Sequence, residues 1–383
     1  MLSADNYLSN ILFIEKQSTN ILVFIEFGHV MSDEEIRNYV ETIVRKNTIL
    51  RQYIVQRENQ LFLENDVDFD IRSHYLVSDK PPNKTKLLNS EYKTKSKWFC
   101  SFVLDNNNTT LFVKVDHALA DGHQLIRILT SPFSQDQPAD KFKRTTNNKL
   151  YYWFIGTIVL ILTLLKFVGK ILFPQTKMKT REKSQPTKFV KFDAFSLSTV
   201  KQVCLRQKIT VNDFMYAVML KSYVSFAKKR TVYTISPIHM PGKTYTNNVC
   251  PLLLNVLYSD DNFTLLKNVH AAFNNCKYSL FVPALSFVLQ MVSDYVNPEL
   301  LSTLYRLSSD NIDVVYSNVI GPEVSDINNI AFVMNAQPNQ LCYNIISCKD
   351  KLNMIVSFQD GFVKDEAFLK RCVNDSYTSL VNF

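Results

Sequence analysis

Leu111-Phe-Val-Lys-Val-Asp-His117-Ala-Leu-Ala-Asp121-Gly122-His-Gln-Leu-Ile-Arg-Ile-Leu129 decides the reading of this chain. Leu111, Phe112, Val113 and Val115 give a strand-type run, Leu125, Ile126, Ile128 and Leu129 give a helix-type pattern, and a polar turn lies between them. The stretch reads as strand, tight turn and helix. A histidine at the strand end, an aspartate four residues on and a glycine that lets the backbone turn are a means of orienting an imidazole beside a cavity. A loop histidine in a sharp turn fits the same six residues, so the other stretches decide between the two.

Upstream, Trp98–Leu104 and Thr109–Val115 flank Asp105-Asn-Asn-Asn108, a hairpin whose second strand delivers His117. Residues 5–12 read as a short helix or turn, and Ile21-Leu-Val-Phe-Ile-Glu-Phe27 reads as a strand. Ser32-Asp33-Glu34-Glu35 caps a helix through Ile36, Val40, Ile43 and Val44. After it Asn47–Val55 reads as a helix end running into a strand, which sets Arg51 among apolar neighbours. A buried arginine needs a carboxylate, and nothing local supplies one. The Lys-rich stretch after Asp79 reads as solvated surface.

The second half follows the same grammar. Phe189–Phe195 alternates as a strand, Ser198–Cys204 is a capped helix, and Val211-Asn212-Asp213 opens a strongly apolar helix capped by Thr210 or Asn212. Strands over 231–238 and 250–257, a helix over 262–274 and apolar helical stretches over 279–307 follow. Ile312–Tyr316 reaches a second polar knot, Ser317-Asn318-Val-Ile-Gly321-Pro322. Two strands, Gln340–Ser347 and Leu352–Phe358, and a helix from Asp365 close the chain, and no short-period repeat is present.

With 383 residues, 46% of them hydrophobic, and 27 Phe, the chain exceeds one ordinary domain and has ample material for a core. Seven cysteines without a C-x-x-C pair argue against a disulfide framework or zinc site and for a reducing compartment; no metal site is expected. The net charge of +8 is local, because ten Lys or Arg and one acid lie between Lys141 and Lys183. The rest of the chain is close to neutral, which excludes a nucleic-acid footprint. These basic residues flank an apolar run from Leu150 that continues through Lys166 and Lys170 to Phe173, with Tyr151, Tyr152 and Trp153 as interface anchors at one end. At about 1.5 Å per residue, 150–173 is long enough for a hydrocarbon core of roughly 30 Å and reads as membrane-embedded. The N-terminus lacks a basic region of the secretory or presequence type, and no lipidation signal is present.

In order and spacing these stretches resemble the wax ester synthase/diacylglycerol acyltransferase (WS/DGAT) branch of the CoA-dependent acyltransferase superfamily, which also holds chloramphenicol acetyltransferase and peptide-synthetase condensation domains. The residues that carry the resemblance are Leu50-Arg51, His117 to Gly122 for the family's HHxxxDG, Val211-Asn212-Asp213, Ser317-Asn-Val-Ile-Gly-Pro322 and the closing strand pair. It runs from Asp5 to about Leu380 and implies an α/β protein with two chloramphenicol acetyltransferase-like sandwich domains around a central tunnel. The N-terminal half would occupy 1–145, a hydrophobic membrane-associated helical segment 146–187, and the C-terminal half 188–383.

The resemblance implies His117 as general base at the interface of the two domains. Asp121, Ser317 and Asn318 would complete the catalytic set, with an amide or hydroxyl of the Asn212 region or of the 317–318 knot stabilising the oxyanion. Asp121 is expected to act on architecture through a salt bridge to Arg51, the partner that arginine lacks. Asp116, which stands where the family has its first histidine, is expected at the substrate site with Gly122, Asn212 and Asp213.

The reaction implied is transfer of a fatty acyl group from acyl-CoA to a long-chain alcohol or diacylglycerol, with acyl-CoA as substrate and no cofactor. His29, His74, His123, His239 and His270 read as structural or surface residues. A site assembled from both sides of 150–173 requires both halves on one side of the bilayer, so the segment is expected to dip into one leaflet. The endoplasmic reticulum or lipid-droplet surface is the expected location. The rival reading is a catalytically degenerate relative serving as a structural subunit of a membrane complex, a mitochondrial one included. Asp116 suits that reading, and His117 and Asp121 oppose it.

Overall fold

Two mixed sheets packed face to face organise the computed structural model, which describes residues 19–57, 60–133, 158, 185–239, 249–278 and 312–383. The expected elements at 5–12 and 279–307, and 150–173 apart from Ile158, lie outside the described residues. Among the described residues no helix is long and apolar enough to cross a membrane.

The first half contributes β1 (Asn20–Phe27), α1 (Asp33–Lys46), β2 (Gln52–Arg57), β3 (Gln60–Asn65), β4 (Tyr75–Ser78), α2 (Lys84–Asn89), β5 (Trp98–Leu104), β6 (Thr109–Asp116) and α3 (Gly122–Thr130). The second contributes β7 (Thr187–Lys191), β8 (Phe195–Ser196), α4 (Leu197–Gln207), α5 (Val211–Ala227), β9 (Thr234–His239), β10 (Val249–Leu254) and α6 (Asn262–Tyr278). It continues with β11 (Val314–Val319), β12 (Ile327–Met334), β13 (Leu341–Cys348), β14 (Lys351–Gln359) and α7 (Glu366–Val381).

The first sheet has the order β12-β1-β6-β5-β4 and the second β10-β9-β11-β13-β14-β7, with β8 on β14 and β2-β3 a separate hairpin. The sheets do not divide where the sequence halves do. β12 runs antiparallel to β1, with Ile21 opposite Met334 and Ile25 opposite Ile330, so the second half supplies an edge strand to the first half's sheet. No clear strand pattern marks 327–334 in the sequence, and its two adjacent asparagines explain why. They interrupt an alternation whose Ile330 and Phe332 face the helices of the first half while Ala331 and Val333 face the second sheet.

Local chemistry matches the helices. Ser32 and Glu35 form a capping box on α1, Thr210 and Asp213 form one on α5, and Lys208 and Lys228 close α4 and α5 in the left-handed conformation. Helix α5 buries eleven residues, which accounts for its apolar, weakly periodic sequence. α1 and α3 cover one face of the first sheet, α4, α5, α6 and α7 cover the outer face of the second, and Leu22, Phe24 and Phe112 meet Phe189 and Ile355 between the sheets. The stretch read as solvated surface holds α2, whose Leu88 is fully buried in that seam. Beside it the Asn89 side chain donates to the Thr187 carbonyl (2.9 Å) and accepts from the Thr187 N–H (2.8 Å), and the Asn335 amide donates to Thr187 Oγ1 (3.1 Å).

Candidate active site

β6 ends at Asp116, and the turn after it is fixed by its own polar groups. The His117 N–H donates to the Thr19 carbonyl (2.8 Å), the Ala118 N–H to Asp116 Oδ1 (2.9 Å) and the Leu119 N–H to the Asp116 carbonyl (2.9 Å). Asp116 Oδ2 also takes an ion pair from Lys97 Nζ at 3.2 Å. Asp116, expected at the substrate site, therefore has both carboxylate oxygens engaged in holding the turn. His117 is half-buried at its centre.

Asp121 is 2% exposed and is the N-cap of α3, its Oδ1 accepting from the Gln124 N–H at 2.8 Å. The expected Arg51 to Asp121 salt bridge does not form. Arg51 closes a 3-10 turn, Thr48–Arg51, that replaces the expected continuous passage from helix into strand, and this turn leaves its side chain exposed. Among the described residues no ion pair joins the two. Arg51 thus escapes the desolvation that seemed to demand a partner, and the Asp121 carboxylate serves the helix instead.

Gly122 brings the halves together. A Cβ at this position would lie 3.2 Å from Val319 Cγ2 at the end of β11, closer than side chains normally pack. Ser317 and Asn318 belong to β11 and not to a polar knot, because the strand extends to Val319. Their side chains point to opposite faces. Ser317 shares a face with Val319, which packs on the first half's core, whereas Asn318 shares a face with the buried Tyr316 of the second half's core. The Asn318 amide donates to Asn212 Oδ1 (3.0 Å), and the Tyr316 hydroxyl donates to the Asn212 carbonyl (3.1 Å). Burial holds the Tyr316 hydroxyl well above the usual tyrosine range, so it remains a donor. Gly321, just beyond, is required sterically: a Cβ would stand 1.5 Å from the Ser347 carbonyl oxygen.

Asp213 is 1% exposed on the first turn of α5. Its Oδ2 accepts from the Thr210 N–H (2.9 Å) and from His270 Nδ1 (2.8 Å). His270 carried no sequence signal, because its partner lies 57 residues away on another helix. Lys114 was missed as well. It is 2% exposed on β6, donates to the carbonyl and hydroxyl of Ser90 and sits 4.1 Å from the Tyr92 ring centroid. Burial pushes its ammonium down to about 8. None of the seven cysteines forms a disulfide, and six of them are buried.

The family model for the WS/DGAT C-terminal domain matches residues 246–381. No curated protein matches the chain in sequence. Among solved structures, the wax ester synthase/diacylglycerol acyltransferase from Marinobacter aquaeolei VT8 is similar with a TM-score of 0.63 at 14% identity, over 98% of this chain and 99% of that one. The trichothecene 15-O-acetyltransferase from Fusarium sporotrichioides gives 0.65 at 11% identity, over 100% and 94%. Polyketide synthase associated protein 5 from Mycobacterium tuberculosis gives 0.61 at 10%, over 97% and 96%. Residues 246–381 thus match the WS/DGAT C-terminal domain, and over its whole length the chain shares the α/β fold of these structures.

Proposed function

We propose that the protein transfers a fatty acyl group from acyl-CoA to a lipid hydroxyl, a long-chain alcohol or diacylglycerol, with His117 as general base. The observation that carries this reading is the packing of Gly122 on Val319, which sets the His117 turn against the strand bearing Ser317. In the reaction His117 takes the acceptor's hydroxyl proton as the oxygen attacks the thioester carbonyl. The tetrahedral oxyanion accepts a hydrogen bond from Ser317, and the C–S bond then breaks. The imidazolium returns its proton to the departing CoA thiolate. No acyl-enzyme is required.

The strand faces divide the labour between the two β11 residues. Ser317, on the face of Val319, is assigned the oxyanion contact, and Asn318, bonded to Asn212, is assigned a positioning role. Asp121 and Asp116 hold the turn and take no part in proton transfer. The substrate passage is proposed beside the His117 turn, where Gly122 packs on Val319 at the end of β11. The apolar sequence 150–173 with its basic flanks supports a monotopic anchor that keeps the site beside its lipid substrates, at the endoplasmic reticulum or a lipid-droplet surface. Purified protein incubated with radiolabelled palmitoyl-CoA and a panel of long-chain alcohols and diacylglycerol tests the reading. Labelled ester from at least one acceptor is expected, and no ester from any of them contradicts it.

A further inference from the structure

We infer that His270 is a positioning residue for acyl transfer, acting through Asp213 on the Asn212–Asn318 pair that fixes the strand carrying Ser317. The inference rests on the acyltransferase reading above and adds a residue from α6.

From Asn274 to Asp213 the relay runs through polar contacts, and from Asp213 to Asn212 through the backbone of the first turn of α5. Asn274 Nδ2 donates to His270 Nε2 at 2.7 Å, which leaves Nδ1 as the protonated nitrogen, and Nδ1 donates to Asp213 Oδ2 at 2.8 Å. The imidazole is 28% exposed, while the carboxylate is 1% exposed. Asp213 Oδ1 is also buried and meets no hydrogen-bond donor among the described residues. The carboxylate therefore depends on two donors, the Thr210 N–H and His270, both on one oxygen. Its neighbour Asn212 accepts from Tyr316 through its carbonyl and from Asn318 through its side chain. A single helical turn thus joins α6 to β11.

Removing the His270 donor leaves a buried carboxylate with one partner, a costly arrangement that the chain relieves by moving the first turn of α5 toward other donors. The rest of α5 stays in place, held by its buried side chains. Displacement therefore falls on Asn212, and through the 3.0 Å amide contact on Asn318 and the strand that also bears Ser317. A small misplacement of an oxyanion donor costs turnover more than substrate binding.

The test compares wild type, His270→Ala, His270→Asn and His117→Ala with palmitoyl-CoA and an accepted alcohol. The Asn side chain presents an N–H where the imidazole presents Nδ1–H. His270→Ala is expected to lower kcat by about 10-fold with KM for palmitoyl-CoA unchanged within about 2-fold, and His270→Asn to recover most of the loss. Unchanged kcat in His270→Ala, or no recovery in His270→Asn, overturns the inference. If wild type forms no ester, the acyltransferase reading fails and the relay is read from stability alone. Urea midpoints of His270→Ala, Asn318→Ala and the double variant then decide it: non-additive shifts support coupling, and additive shifts overturn it.

Discussion

Gly122 and Val319 meet where the two halves close on each other, the glycine opening α3 and the valine ending β11, at a separation that would leave only 3.2 Å between a Cβ and Val319 Cγ2. A methyl group at 122 must push the end of β11 away or shift the turn that holds His117. Gly122→Ala is expected to reduce kcat by about 10-fold, and Gly122→Ala combined with Val319→Ala to recover most of it. Steady-state kinetics on the three variants checks this; a double variant as poor as the single one points to backbone flexibility at 122 instead.

The capping role of Asp121 and the exposure of Arg51 predict unequal effects. Asp121→Ala removes an N-cap and is expected to cost about 1–2 kcal/mol, whereas Arg51→Ala should stay within about 0.5 kcal/mol of wild type. Urea unfolding of the two single variants measures both. Equal and large losses would restore the salt bridge that the family resemblance implies.

Gly321 makes a stronger case than Gly122. A Cβ there would overlap the Ser347 carbonyl oxygen at 1.5 Å, and a backbone atom cannot step aside as a side-chain end can. Gly321→Ala is expected to destabilise the fold by about 3 kcal/mol or to prevent its recovery in soluble form, which thermal unfolding and expression yield will show.

Lys114 predicts a pH dependence with a defined sign. Burial holds its ammonium at about 8 in the native state, against 10.5 ordinarily. Between these values the unfolded chain binds more protons, so the native state gains stability as pH rises through that window. Lys114→Met lacks this contribution. The stability difference between wild type and variant should therefore move in favour of wild type between neutral pH and about 10.5, by up to about 3 kcal/mol. A difference that stays flat across the window contradicts the burial.

Much of this was legible because periodicity and capping are local. The strand, turn and helix around His117, the α1 capping box and the hairpin before the motif follow from residues within a few positions of one another. What escaped depends on distant pairing. β12 became a strand of the first sheet only through β1, some 300 residues earlier. His270 gained a role only through Asp213 on another helix. The Arg51 expectation failed for a different reason: apolar neighbours in sequence were read as burial, and a short 3-10 turn rotated the side chain out to solvent. The extension of β11 to Val319 likewise turned a supposed polar knot into two residues on opposite faces of a strand.

His117 is proposed to remove the acceptor's proton. Acceptor-dependent release of CoA thiol, followed for wild type and His117→Ala at matched folded concentration, tests it most directly. Release is expected to fall by about 100-fold or more in the variant, with its unfolding midpoint close to that of wild type. Equal release by the two proteins would contradict it.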